Sequence, residues 1–219
     1  MKGPHQGQPV RTAGTPLSRA RGVMVMLHGR GATAESILSL ASELDTPGFA
    51  YLAPQAGGNS WWPQSFLAPI ASNEPGISSA MSAVEDVLRQ TAAAGIPTER
   101  TLLLGFSQGA CLATEFAARH ARRYGGVAAL SGGLIGPDGT PRDYAGSLDG
   151  TPVFLGCSDV DPHIPAERVR QSAEVMRRLG GNVTMRLYPG MGHQINEDEI
   201  AGVQAMMEAA ALNLSFNPP

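Results

Sequence analysis

The feature that most constrains this chain is a rhythm in which short apolar runs alternate with stretches of helical period. The runs are Val23–Leu27, Phe49–Ala53, Thr101–Gly105, Val127–Leu130, Pro152–Cys157 and Val183–Tyr188, each bounded by Gly, Pro or polar residues. Unbroken apolar runs this short fit strands covered on both faces. Between them, Ile77, Met81, Val84, Val87, Leu88 and Ala92 fall on one helical face. Val169, Ala173, Met176 and Leu179 do the same ahead of Gly180–Gly181, and Ile200, Val203, Met207 and Ala210 make a C-terminal helix. Such alternation predicts an α/β fold, a mostly parallel central sheet with helices on both faces. The Met residues on these faces are expected to fill core.

A length of 219 residues favours one domain, expected over 23–219. The Gly-, Pro- and Gln-rich residues 1–22 read as a tail, or as an edge strand around Pro9–Thr12. A hydrophobic fraction of 42% with 16% charged residues excludes a disordered chain, and a net charge of −3 argues against a nucleic-acid partner. Cys111 and Cys157, each inside an apolar run, exclude a disulfide scaffold. No run approaches the ~20 apolar residues of a membrane span. No apolar segment follows Arg11, Arg19 and Arg21 as a secretion signal would require, so a cytoplasmic location is expected. Two segments break the rhythm. Pro54–Gly76 and Ser131–Gly150 are long, Pro- and Gly-rich, and follow strands at the edge where open α/β sheets place ligands.

The chemistry concentrates at Gly105-Phe106-Ser107-Gln108-Gly109, between the run Thr101–Leu104 and a helix expected over Gln108–His120. A Ser on a tight strand–turn–helix junction, with Gly two before and two after, has the context of a nucleophile elbow. The bland reading is a Gly-rich turn with an idle Ser. A Ser hydroxyl needs a base, and the base an orienting acid, in the chain order Ser, acid, His. Asp161 follows the run Pro152–Cys157 and His193 follows Val183–Tyr188, so both stand at strand ends on the rim of Ser107. Asp159 competes with Asp161 for the acid. His163 is more plausible as a pocket wall than as the base. The expected oxyanion donors are the backbone N–H of Gln108, opening the elbow helix, and that of Arg30 in Leu27-His28-Gly29-Arg30-Gly31. Trp61, Trp62, Phe66 and Leu134 are expected to wall an apolar pocket. No His, Cys, Asp or Glu spacing suits a metal and no Gly-rich fingerprint suits a nucleotide, so neither metal nor cofactor is expected.

As a set, His28-Gly29-Arg30-Gly31, Gly105-Phe106-Ser107-Gln108-Gly109-Ala110, Asp161-Pro162-His163-Ile164-Pro165 and Gly192-His193 resemble the phospholipase/carboxylesterase family of α/β-hydrolases. That group includes acyl-protein thioesterases and small bacterial carboxylesterases. The resemblance runs from about Val23 to the C-terminal helix. It implies an α/β-hydrolase fold without a separate lid domain, a triad of Ser107, Asp161 and His193, and oxyanion amides at Arg30 and Gln108. Two departures from the thioesterase pattern stand near the expected substrate site. Arg30 replaces the usual Leu, and Trp61-Trp62 replaces a single Trp followed by Phe.

The sequence therefore reads as a serine carboxylesterase of small-molecule esters acting through an acyl-enzyme on Ser107. Its rivals are an acyl-protein thioesterase or lysophospholipase with the same triad, and a catalytically silent hydrolase fold that binds ligand. For the Arg30 side chain two readings stand open: recognition of an anionic substrate group, or a structural pair with an acid such as Glu35 or Glu74. A homodimer is compatible with the sequence but does not follow from it.

Overall fold

Among the described residues, seven strands form one sheet in the order β1-β3-β2-β4-β5-β6-β7. They are β1 Val10–Gly14, β2 Gly22–Leu27, β3 Phe49–Pro54, β4 Thr101–Phe106, β5 Gly126–Leu130, β6 Pro152–Ser158 and β7 Asn182–Tyr188. The helices are α1 Ala34–Leu38, α2 Gly76–Ala93, α3 Gln108–Arg119, α4 Ala166–Arg178 and α5 Glu197–Ser215. These elements come from a computed structural model that describes residues 3–44 and 46–215. Residues 1–2 of the expected N-terminal segment and residues 45 and 216–219 of the expected domain lie outside them.

Each expected apolar run is a strand, displaced by at most one residue at an end. The period of two explains why the runs are unbroken. In β2, Val23, Val25 and Leu27 join one core layer, while Met24 and Met26 join the other. In β6, Val153, Leu155 and Cys157 face the first layer and Phe154 the second. The first layer is closed by α2, α3 and α4, and the second by α1 and α5, which contributes Val203, Met206, Met207 and Ala210. The sheet is parallel except for β1, which runs antiparallel to β3 with Val10 opposite Pro54. Among the described residues no helix is long and apolar enough to cross a membrane.

Of the two readings of residues 1–22, the edge strand is present as β1, one end of the sheet. Three details differ from or go beyond the sequence reading. The stretch ahead of β1 is packed against the domain. His5 is buried, its Nδ1 accepting from Gly57 N–H at 3.0 Å and its Nε2 donating to the Trp61 carbonyl at 2.8 Å. Desolvation lowers its pKa, as suits a neutral ring with one donor and one acceptor nitrogen. Ala92 is exposed, and Thr91 takes the inward position, its hydroxyl donating to the Leu88 carbonyl. The short α1 escaped the sequence reading. Its start is fixed by Thr33 and Ser36, which exchange hydrogen bonds as a capping box.

Chain order places the site. From β2 the chain moves outward to β3, then crosses back to β4 on the other side of β2. The loops leaving β2 and β4 thus diverge at their carboxyl ends and open a crevice there.

At the start of α5, Asn196 and Glu199 exchange backbone and side-chain hydrogen bonds, and Glu199 is fully buried with Oε1 unpartnered among the described residues. Burial raises the Glu199 pKa from 4.5 to about 7. The folded state therefore holds this proton more tightly than the unfolded state. The part of the stability that depends on Glu199 is complete below about pH 4.5 and falls as the pH rises through about 7. Glu199→Gln keeps a capping acceptor without a charge to bury. It should raise the thermal midpoint by several degrees near pH 8 and by little near pH 5. Equal shifts at the two pH values would show that the Glu199 charge is not what costs stability.

Candidate active site

The loops leaving β2, β4, β6 and β7 bring Arg30, Ser107, Asp161 and His193 to one rim of the sheet. The turn at Ser107 is unusual. Its φ is 56° and its ψ −119°, a conformation rare for a residue with a side chain. Close packing holds it there. A Cβ on Gly105 would overlap the Gly109 carbonyl, and one on Gly109 would overlap the carbonyl of Leu27 in β2. The Ser107 N–H donates to Leu130 O at 2.9 Å and its carbonyl accepts from Cys111 N–H at 3.0 Å.

Ser107 Oγ lies 2.9 Å from His193 Nε2, and His193 Nδ1 lies 2.7 Å from Asp161 Oδ2. With Nδ1–H given to the carboxylate, Nε2 remains to accept the serine proton. The Asp161 side chain is fully buried, and its Oδ1 accepts the N–H groups of His163 at 2.8 Å and Ile164 at 3.0 Å. Burial alone would favour its neutral form. The His193 hydrogen bond and the two amides outweigh it, so the Asp161 pKa is lowered. Phe106 and His163 flank the His193 ring at 5.0 and 4.8 Å between centroids.

Asp159 has a different task. Its Oδ1 accepts Gly190 N–H at 2.8 Å, while the buried Ser158 Oγ accepts Gly192 N–H at 3.0 Å. Together they tie the loop after β7, which carries His193, to the loop after β6, which carries Asp161. Nothing in the local sequence marks Ser158. Its role becomes visible only once β6 and β7 are paired.

Gln108 is the first residue of α3, so its N–H has no intrahelical acceptor. Among the described residues, neither this amide nor that of Arg30 has a protein acceptor. The Gln108 side chain carries a second function that the sequence did not signal. Its Oε1 accepts Trp61 N–H at 2.9 Å and its Nε2 donates to Trp62 O at 2.9 Å. Asn73 secures the next stretch, accepting from Gln64 N–H and donating to Ser65 O. The long segment after β3 is thereby fixed as a wall.

The resulting pocket, about 420 Å³, reaches Ser107 and His193 and is lined by Arg30, Trp62, Pro63, Phe66, His163 and Ile164 among others. Two expected wall residues are not part of it. Trp61 lies behind the wall, fully buried, with its indole N–H donated to His28 O at 2.9 Å. Leu134 lines a separate cavity of about 220 Å³ beside Arg168 and Asp138, because the 131–150 segment turns toward α4 rather than the crevice. Cys111 reaches the pocket floor unforeseen, but burial pushes its thiol up to about 12, which removes it as a nucleophile.

Residues 14–211 match the model of a family described as phospholipase/carboxylesterase. A protein of that description from Dyadobacter fermentans has a crystal structure that superposes with a TM-score of 0.89 at 42% identity, covering 92% of this chain and 97% of its own. Acyl-protein thioesterase 1 of Saccharomyces cerevisiae is 27% identical over 86% of this chain and 92% of its own length. The same-named protein of Gibberella zeae is 33% identical over 60% of this chain, and the match spans little more than half of that relative, 57%. The architecture is the α/β-hydrolase fold.

The elbow predicts its own fragility. Gly109→Ala forces a methyl group into the β2 backbone and should cost at least ~1–3 kcal/mol, seen as a thermal midpoint lower by several degrees or as loss of soluble protein. A midpoint equal to that of the wild type would mean that α3 does not need to touch β2 to hold Ser107.

Proposed function

Because the chain belongs to the phospholipase/carboxylesterase family, we propose that it is a serine hydrolase of small carboxylic esters, with Ser107 as nucleophile, His193 as base and Asp161 as orienting acid. The observation that carries this reading is the continuous hydrogen-bond line from Ser107 Oγ through His193 to the buried Asp161, opening onto a pocket. A silent binding fold has no physical use for that line.

Ser107 Oγ attacks the ester carbonyl while His193 Nε2 takes its proton. The carbonyl oxygen, now negative, is received by the N–H groups of Arg30 and Gln108, two donors left over by the fold. Asp161 holds the imidazole in the productive tautomer and stabilises the imidazolium. His193 passes its proton to the departing alcohol, and the acyl group stays on Ser107. Water, deprotonated by His193, then attacks the acyl carbonyl, and His193 gives that proton to Ser107 Oγ as the acid is released.

The relatives named acyl-protein thioesterase favour a second reading, in which the same three residues release an acyl group from a thiol. Small esters are favoured by the two departures from that pattern, Arg30 and the Trp61-Trp62 pair, and by Arg30 and Trp62 lining the pocket. A matched panel of acetyl and long-chain esters and thioesters separates the readings by kcat/KM. A strong preference for long-chain thioesters would replace the first with the second.

The roles separate by substitution. Ser107→Ala should cost on the order of 10⁴-fold or more in kcat with the fold intact. Asp161→Asn should cost roughly 10³–10⁴-fold, since an amide can hold neither the tautomer nor the imidazolium. Asp159→Asn keeps an oxygen for Gly190 N–H and should cost less than about tenfold. If Asp159→Asn proved the crippling change, the acid would be misassigned.

A further inference from the structure

Arg30 is an exposed cation on the pocket, and its surroundings are specific. Its guanidinium donates to the carbonyls of Pro63 at 2.7 Å and Gln64 at 2.5 Å. Both partners are neutral and both line the same pocket. The acids that could have neutralised it are engaged elsewhere. Glu35 pairs with Arg11 at 2.6 Å, and Glu74 accepts from the Ser78 hydroxyl and N–H at 2.9 and 3.0 Å. Among the described residues no carboxylate is in ion-pair contact with Arg30, and none of the residues lining the pocket is Asp or Glu.

The two carbonyls therefore hold the guanidinium in place without cancelling its charge. Of its five N–H donors, two are used and three remain, enough for the two oxygens of a carboxylate. Holding the side chain beforehand also reduces the rotamer entropy that a flexible cation would lose on binding. Among the described residues no Lys or second Arg lines the pocket, so they offer one Arg charge for one negative charge. That balance suits a carboxylate better than a phosphate dianion.

From this we infer that the Arg30 side chain selects esters bearing a free carboxylate, in either the acyl or the alcohol part, over neutral esters of the same shape. The inference rests on the ester-hydrolase reading and adds the substrate class to it. Arg30 then serves the site twice. Its amide faces the oxyanion, and its guanidinium binds the remote charge.

The test is a ratio of kcat/KM within matched pairs, each corrected for the substrate's own rate of alkaline hydrolysis. One pair is 3-carboxyphenyl acetate and 3-carbamoylphenyl acetate, with the charge on the alcohol side. The other is monomethyl glutarate and methyl 4-carbamoylbutanoate, with the charge on the acyl side. The wild type should prefer the carboxylate in at least one pair by roughly 10–100-fold, the worth of a charge-assisted hydrogen bond. Raising the salt concentration to about 1 M should shrink that preference. Arg30→Leu should bring the ratio close to one, whatever it does to the absolute rates, whereas Arg30→Lys should keep part of it. A wild-type ratio near one in both pairs overturns the inference while leaving the ester reading intact. So does a preference that survives in Arg30→Leu, or equal loss on both members of each pair. Hydrolysis of no ester in either pair would instead count against the reading beneath it.

Discussion

The contact on which the rest depends is backbone against backbone: the first turn of α3 pressed onto the end of β2. Gly109 meets the Leu27 carbonyl with no room for a Cβ, and Gly105 meets Gly109 in the same way. A positive φ at Ser107 is costly, of order 1–3 kcal/mol, and persists only where its surroundings leave no alternative. The two glycines and the bonds to Leu130 and Cys111 supply those surroundings. One consequence is that the Ser107 side chain stands clear of the sheet at its carboxyl edge. Another is that the helix starts at Gln108 with a free N–H beside it. The proposed nucleophile and one proposed oxyanion donor are thus two results of one packing event.

The other half of the site is held differently, by polar ties between loops. Ser158 and Asp159 leave β6 and bind the N–H groups of Gly192 and Gly190 after β7. This fixes His193 against Asp161 without a helix or strand at that point. The pocket wall depends on both halves of the molecule. Gln108 grips Trp61 and Trp62 from the elbow side, and His5 reaches the Trp61 carbonyl from the N-terminal segment. Trp61 is therefore a strut rather than a surface for substrate, which is why it is buried behind Trp62.

What the sequence disclosed follows from the range of the forces involved. Apolar runs report burial on both faces, so the six parallel strands were legible to within a residue. The Gly-x-Ser-x-Gly turn reports a local steric demand, so the elbow was legible as well. Gln108, Asn73 and Ser158 act through side chains that meet backbone far away in the chain, and no local pattern records such a partner. The packing of His5 is hidden for the same reason: its Gly-, Pro- and Gln-rich neighbours carry no apolar pattern, and its ring bonds residues more than fifty positions away. Leu134 failed because a loop's position after a strand does not say which way it turns. For Arg30 the sequence left two alternatives open, and the engaged states of Glu35 and Glu74 remove the ion pair between them.

Everything proposed for this site turns on whether Ser107 is an activated nucleophile or merely a serine in a strained turn. An isolated serine hydroxyl does not react with a fluorophosphonate at an appreciable rate, whereas one held against a neutral imidazole does. Incubation of the folded protein with such a probe, followed by peptide mass mapping, reads that difference directly. One label per chain is expected, on the peptide carrying Ser107, and none on protein unfolded before the probe is added. A folded protein that takes up no label, or takes it up at another residue, would contradict it.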